Sequence, residues 1–137
     1  MAESQEHIRL VNLVYKKVCK LVPESKTCLV EKDSPENRKV GYNVQGFIPD
    51  VYYWQNDLFI IGEAKTLKDF SSRHSKLQLR AYIDECQKFI GTAYIIIAVP
   101  WPLKNTALNY FRKIRNNEDV NNSKFIVVDE LGSEFEV

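Results

Sequence analysis

The run Ala93-Tyr94-Ile95-Ile96-Ile97-Ala98-Val99 constrains the fold more than any other stretch of this chain. It is continuously apolar and rich in isoleucine, too short to cross a membrane and the right length for a strand buried on both faces. Such a strand belongs inside a sheet that carries helices on each side. Residues 75–90, before it, and residues 103–115, after it, read as those helices. A strand entered and left through helical crossovers pairs in parallel with its neighbours.

The N-terminal half has a different rhythm. Residues 4–22 form a helix on the recurrence of Ile8, Val11, Tyr15, Val18 and Val22, and Pro23 ends it. A short strand is expected at 27–31, followed by a charged, turn-rich stretch at 32–41. Strands at 46–54 and 58–65, joined through Gln55-Asn56-Asp57, read as an antiparallel hairpin. A last strand is expected at 124–128. The sum is an α/β fold, one mixed β-sheet flanked by helices in the order αβββαβαβ, with all 137 residues in one domain.

Composition narrows the classes. With 45% hydrophobic and 27% charged residues, the chain can bury a core without metal or disulfide staples. Cys19, Cys28 and Cys86 are an odd count without CxxC spacing, and His7 and His74 are too few for a histidine-based zinc site. No leader or membrane span is read, so a soluble, cytoplasmic protein is expected. Net charge is +1, yet residues 65–80 hold Lys65, Lys68, Arg73, Lys76 and Arg80 against Asp69 alone, a local +4. Most such clusters are solvated faces; one that begins at a candidate metal site points to a phosphate backbone.

The candidate site is the pair of segments Ile48-Pro49-Asp50 and Gly62-Glu63-Ala64-Lys65. Side chains alternate along a strand, so Glu63 and Lys65 share a face, and the hairpin brings Asp50 across from them. Two carboxylates placed so would bind Mg²⁺ through oxygen and leave room for water and phosphate. Lys65 would orient the water or balance the phosphate charge. Gln78 and Tyr82, spaced i, i+4, share one face of the helix that follows. Gln78 also fits a Ser75-x-x-Gln78 capping box, and Tyr82 could be core.

Together, Pro49-Asp50, Glu63-Ala64-Lys65 and Gln78-x-x-x-Tyr82 resemble the PD-(D/E)xK nuclease superfamily, with its restriction-endonuclease-like fold. The resemblance is to its RecB-like and Holliday-junction-resolvase-like branches, where Q-x-x-x-Y follows the catalytic strand. It implies catalytic roles for Asp50, Glu63, Lys65, Gln78 and Tyr82, with Asp50 and Glu63 as ligands of Mg²⁺, or of Mn²⁺ as a substitute. A further acid on the first helix is frequent in the superfamily; Glu6 is the better candidate here and Glu3 the second. An acid in a first turn also offsets the helix dipole.

Arg73, His74, Lys76 and Arg80 are the candidate nucleic-acid-binding residues, with Ser71 and Ser72 in the same segment. Trp101, flanked by prolines, either stacks on a base or packs at a strand end. The expected function is a Mg²⁺-dependent deoxyribonuclease, structure- or end-selective, cleaving by metal-activated water attack. DNA is the expected partner, with RNA not excluded, and a homodimer would let one small domain cut two strands. The alternative is a non-catalytic nucleic-acid-binding or assembly module on a nuclease-like fold.

Overall fold

A computed structural model describes residues 4–33 and 43–137 of the chain. The elements are helix α1 (Gln5–Leu21), a 3-10 helix (Glu24–Leu29), strands β1 (Glu31–Lys32), β2 (Val51–Gln55) and β3 (Leu58–Ala64), and helices α2 (Leu67–Phe70) and α3 (Arg73–Lys88). There follow β4 (Thr92–Val99), a 3-10 turn (Trp101–Leu103), α4 (Lys104–Asn117), β5 (Ser123–Asp129) and β6 (Glu134–Glu136). The fold is α/β, with one mixed six-stranded sheet in the order β1-β2-β3-β4-β5-β6. β3, β4 and β5 run parallel, and the flanking pairs β1–β2, β2–β3 and β5–β6 are antiparallel.

β4 lies third from one edge and is buried on both faces, as its composition requires. Ile95 and Ile97 join the core under α3 and α4, with Phe59, Ile61, Leu79, Ile83, Phe111 and Phe125. Ile96 and Ala98 join the opposite core under α1, with Leu10, Val14, Val18, Tyr53 and Ile60. Each such fully buried aliphatic side chain contributes about 1.5–3 kcal/mol relative to exposure. α1 lies close because Gly62 presents no side chain: a Cβ there would overlap Val14 Cγ1 and stand 3.3 Å from Val51 Cβ.

Several expected boundaries move for local reasons. The strand expected at 27–31 is mostly the 3-10 helix Glu24–Leu29, and only Glu31 and Lys32 pair with β2. Thr27 Oγ1 donates to the Glu24 carbonyl at 3.1 Å, and Lys26 N to the Pro23 carbonyl at 2.8 Å, so local bonds outcompete the ladder. The strand expected at 46–54 starts at Val51. Gln45 (φ 53°) and Gly46 (φ 91°) form a tight turn that closes Val44 onto Phe47, and Pro49 has no N–H for the ladder.

The helix expected at 75–90 begins at Arg73, capped by Ser72, whose Oγ accepts from Ser75 N at 3.1 Å. The Ser75–Gln78 capping box therefore does not form, and Gln78 is free for another role. β6 and the four-residue α2 have no counterpart in the expected order. β6 carries Glu134 and Glu136 outward and only Phe135 toward the core, which blunts an edge strand and hides its periodicity. Most of the turn-rich stretch at 32–41, and Glu3, lie outside the described residues. Among the described residues no helix is long and apolar enough to cross a membrane.

Candidate active site

The hairpin register sets the site. Val51 pairs with Gly62, so Asp50 and Glu63 stand next along, on the face toward α3. Asp50 N donates to Glu63 Oε2 at 3.2 Å, and Asp50 Oδ2 accepts from Ala64 N at 2.9 Å. These bonds replace the ladder where β2 begins and lock both carboxylates. Lys65 lies one residue past β3, still tied to the sheet through its N–H to the Ala98 carbonyl at 3.0 Å. The site thus occupies the C-terminal ends of the parallel strands, where open α/β sheets gather their ligand-binding groups.

α3 supplies the other wall. Gln78 Nε2 donates to Glu63 Oε1 at 3.2 Å and to Tyr82 Oη at 3.0 Å, while Gln78 Oε1 accepts from Lys65 Nζ. The Tyr82 hydroxyl donates to Glu63 Oε2 at 3.1 Å, and Lys65 Nζ stands 3.8 Å from Glu63 Oε1. Gln78 therefore reads both charges at once, its carbonyl toward the ammonium and its amide toward the carboxylate. All five side chains that the motifs single out meet in one hydrogen-bonded cluster, and all are buried. Glu63 retains 4% exposure and Lys65 6%, so neither charge is solvated as a surface ion would be.

Two acids against one ammonium leave excess negative charge. Burial, and then the neighbouring Asp50, push the Glu63 carboxyl well above its ordinary pKa, with Lys65 pulling the other way. Burial, followed by Glu63, likewise pushes the Tyr82 phenol far up, so it stays a neutral donor. The donor set fits a hard divalent cation: two carboxylates side by side, carrying a charge that a cation would relieve. Among the described residues no three His, Cys, Asp or Glu side chains are gathered to hold a metal. A cation held by Asp50 and Glu63 would complete its shell with backbone oxygen or water.

The first helix contributes differently from expectation. His7, on the first turn of α1, places Nε2 3.4 Å from Asp50 Oδ2. Glu6 instead lines a groove between α1 and the β5–β6 turn, with Arg9, Leu13, Lys16, Glu130 and Leu131. One residue along a helix turns a side chain by about 100°, from 3.6 residues per turn, so the angle at which α1 crosses the sheet decides which of the two faces Asp50. The resemblance points to an acid on this helix, whereas it is a histidine that meets Asp50.

The basic residues divide. Arg73, His74 and Lys76 stand exposed on the first turn of α3, with His74 edge-on to the Phe47 ring at 5.3 Å. Arg80 lies apart from them and is engaged within the fold. Its guanidinium is clamped by Glu118 at 2.6 and 2.8 Å and by Asp84 at 2.7 and 3.0 Å, joining α3 to the end of α4. Glu118 above all holds that guanidinium in its charged form. Compared with known proteins, the chain matches no family model, no curated protein and no solved structure.

Proposed function

We propose that this chain is a metal-dependent nuclease that hydrolyses DNA phosphodiester bonds, a PD-(D/E)xK enzyme on a restriction-endonuclease-like fold. One observation carries the reading: Asp50, Glu63, Lys65, Gln78 and Tyr82 form a single buried, mutually bonded cluster at the rim of the sheet. Burying two carboxylates and an ammonium costs several kcal/mol per ion, on the order that stability alone does not return. The Glu63 carboxyl and the Tyr82 phenol are both pushed up by that burial, which supports reading the cluster as a chemical site.

Asp50 and Glu63 would hold Mg²⁺, or Mn²⁺ in its place, which when bound lowers the pKa of water and offsets charge on the phosphoryl group. Lys65, fixed by the Gln78 carbonyl, presents an ammonium to the negative charge that grows on the phosphoryl oxygens. Gln78 and Tyr82 hold both Glu63 oxygens in place, so the carboxylate needs no reorganisation during the reaction. Exposed Arg73 and Lys76, on the first turn of α3, are the proposed contacts to the phosphate backbone. No zinc finger or evident helix-turn-helix is read in these residues, so shape, ends or branches are the proposed selectivity, and a second copy would serve to cut both strands of a duplex.

The test is cleavage of plasmid, linear, single-stranded and branched DNA with Mg²⁺ or Mn²⁺ by wild type and Lys65→Ala. Wild type should cut at least one of these, and the variant should lose about 10²-fold or more in rate. Absence of cleavage on every substrate with both metals, or full activity in Lys65→Ala, defeats the proposal. Metal-independent DNA binding without cleavage would favour the binding module.

A further inference from the structure

Trp101 does not pack at a strand end. It sits on a 3-10 turn directly after β4 with 60% of its surface exposed. A mobile loop would explain an exposed tryptophan cheaply, but this one is held. Pro100 and Pro102 fix the backbone on either side, and Trp101 N donates to Glu130 Oε1 at 3.3 Å, tying the turn to the end of β5. Leu103 N also bonds back to the Pro100 carbonyl at 2.9 Å. The backbone that carries the ring is therefore held in place, with little freedom of its own to lose on binding.

Its position gives the ring a partner. Lys65 N bonds the Ala98 carbonyl, and Trp101 lies three residues beyond Ala98 on the same rim of the sheet. At the rise and spacing of strands this puts Trp101 on the order of 10 Å from the backbone of Lys65. Leu67, which opens α2 just past Lys65, and Leu131, just past β5, are exposed on the same rim. The basic side chains Lys68, Arg73 and Lys76 are exposed along α2 and α3. Exposed basic side chains and an exposed aromatic ring thus lie at the same end of the sheet as the acid–lysine cluster.

We propose that Trp101 is a stacking platform for an unpaired nucleobase close to the bond being cut, so that the bound strand is single-stranded or splayed at that point. This rests on reading the Asp50–Glu63–Lys65 cluster as a phosphodiester site. A base inside an intact duplex has both faces covered by its neighbours, so only an unstacked one can lie on the indole. The platform selects for frayed ends, flaps and single strands over uninterrupted duplex without reading sequence.

The chain has two tryptophans, which makes the test direct. Trp54 is at the far end of β2 from Asp50, beside the hairpin turn, so Trp54→Phe leaves Trp101 as the sole indole emitter. This variant, kept in chelator so that no strand is cut, is titrated with a single-stranded oligonucleotide and with the matching blunt duplex. Trp101 emission should be quenched by the single strand and little changed by the duplex. Trp101→Ala should weaken single-strand binding by about five- to a hundredfold, Trp101→Phe by far less, and duplex binding by less than about twofold.

Unchanged emission at saturating single strand overturns the proposal, as does an equal loss of single-strand and duplex affinity in Trp101→Ala. So does a change from dimer to monomer in Trp101→Ala with nucleic-acid affinity intact, which would assign the ring to a protein interface. If Trp101→Ala does not fold, the quenching experiment still decides. Quenching by single strands from a protein that cuts nothing with Mg²⁺ or Mn²⁺ would sink the nuclease reading and leave the platform standing.

Discussion

Gly62→Ala tests how the helix α1 and the strand carrying Glu63 are held together. An added Cβ falls on Val14 Cγ1, with Val51 Cβ at 3.3 Å behind it. Val14 is fully buried, and a helical valine has one strongly preferred rotamer, so the methyl cannot swing aside. Overpacking of this kind costs about 1–3 kcal/mol. Alanine in place of glycine recovers about 0.5–1 kcal/mol of backbone entropy, leaving a net loss of about 1–2 kcal/mol. In a chain of this size that lowers Tm by about 3–10 °C.

The partner substitution isolates the cause. Val14→Ala alone should cost about 2 kcal/mol, from the lost methyls and the cavity they leave. The double variant, having removed the clashing methyl, should be more stable than the sum of the two losses by about 1 kcal/mol or more. Urea unfolding of the four proteins, followed by far-UV circular dichroism, measures the cycle. Additivity within about 0.5 kcal/mol, or a Gly62→Ala protein as stable as wild type, would refute the argument that Gly62 exists to admit Val14.

Two other outcomes follow from the charges. Burial and Asp50 raise the Glu63 carboxyl above its ordinary value, so the folded state holds that proton more tightly than the unfolded chain. The resulting stability is present below the ordinary carboxylate range and is lost as pH rises through the raised pKa. In chelator, the stability difference between wild type and Glu63→Gln should therefore fall with rising pH; a flat or rising difference curve in denaturant titrations contradicts the assignment. Arg80→Ala should cost about 1 kcal/mol of stability, since its clamp to Glu118 and Asp84 is part-exposed, and should leave the salt dependence of DNA binding unchanged. Arg73→Ala with Lys76→Ala should reduce that salt slope by about one to two, each phosphate contact carrying about 0.9. An equal reduction in Arg80→Ala would return that residue to the nucleic-acid face.

The sequence by itself determined the layered α/β plan and most of the residues that meet in the candidate site. The isoleucine run of β4 has no place except between two helix-covered faces, and period two put Glu63 and Lys65 on one side of β3. Helical spacing likewise put Gln78 and Tyr82 on one face of α3. These are local periodicities, set by backbone geometry before any packing occurs. Whatever depends on distance through space was left to the tertiary structure. His7 rather than Glu6 meets Asp50 because α1 crosses the sheet at one particular angle. Arg80 faces Glu118, thirty-eight residues on, and not the site. Gln78 bonds Lys65 and Glu63 because Ser72 takes over the helix cap. Trp101 stands exposed because two prolines and the Glu130 carboxylate hold its turn away from the core. In each case the residue type was legible and its partner was not, because a partner is chosen by the packing of elements distant in sequence.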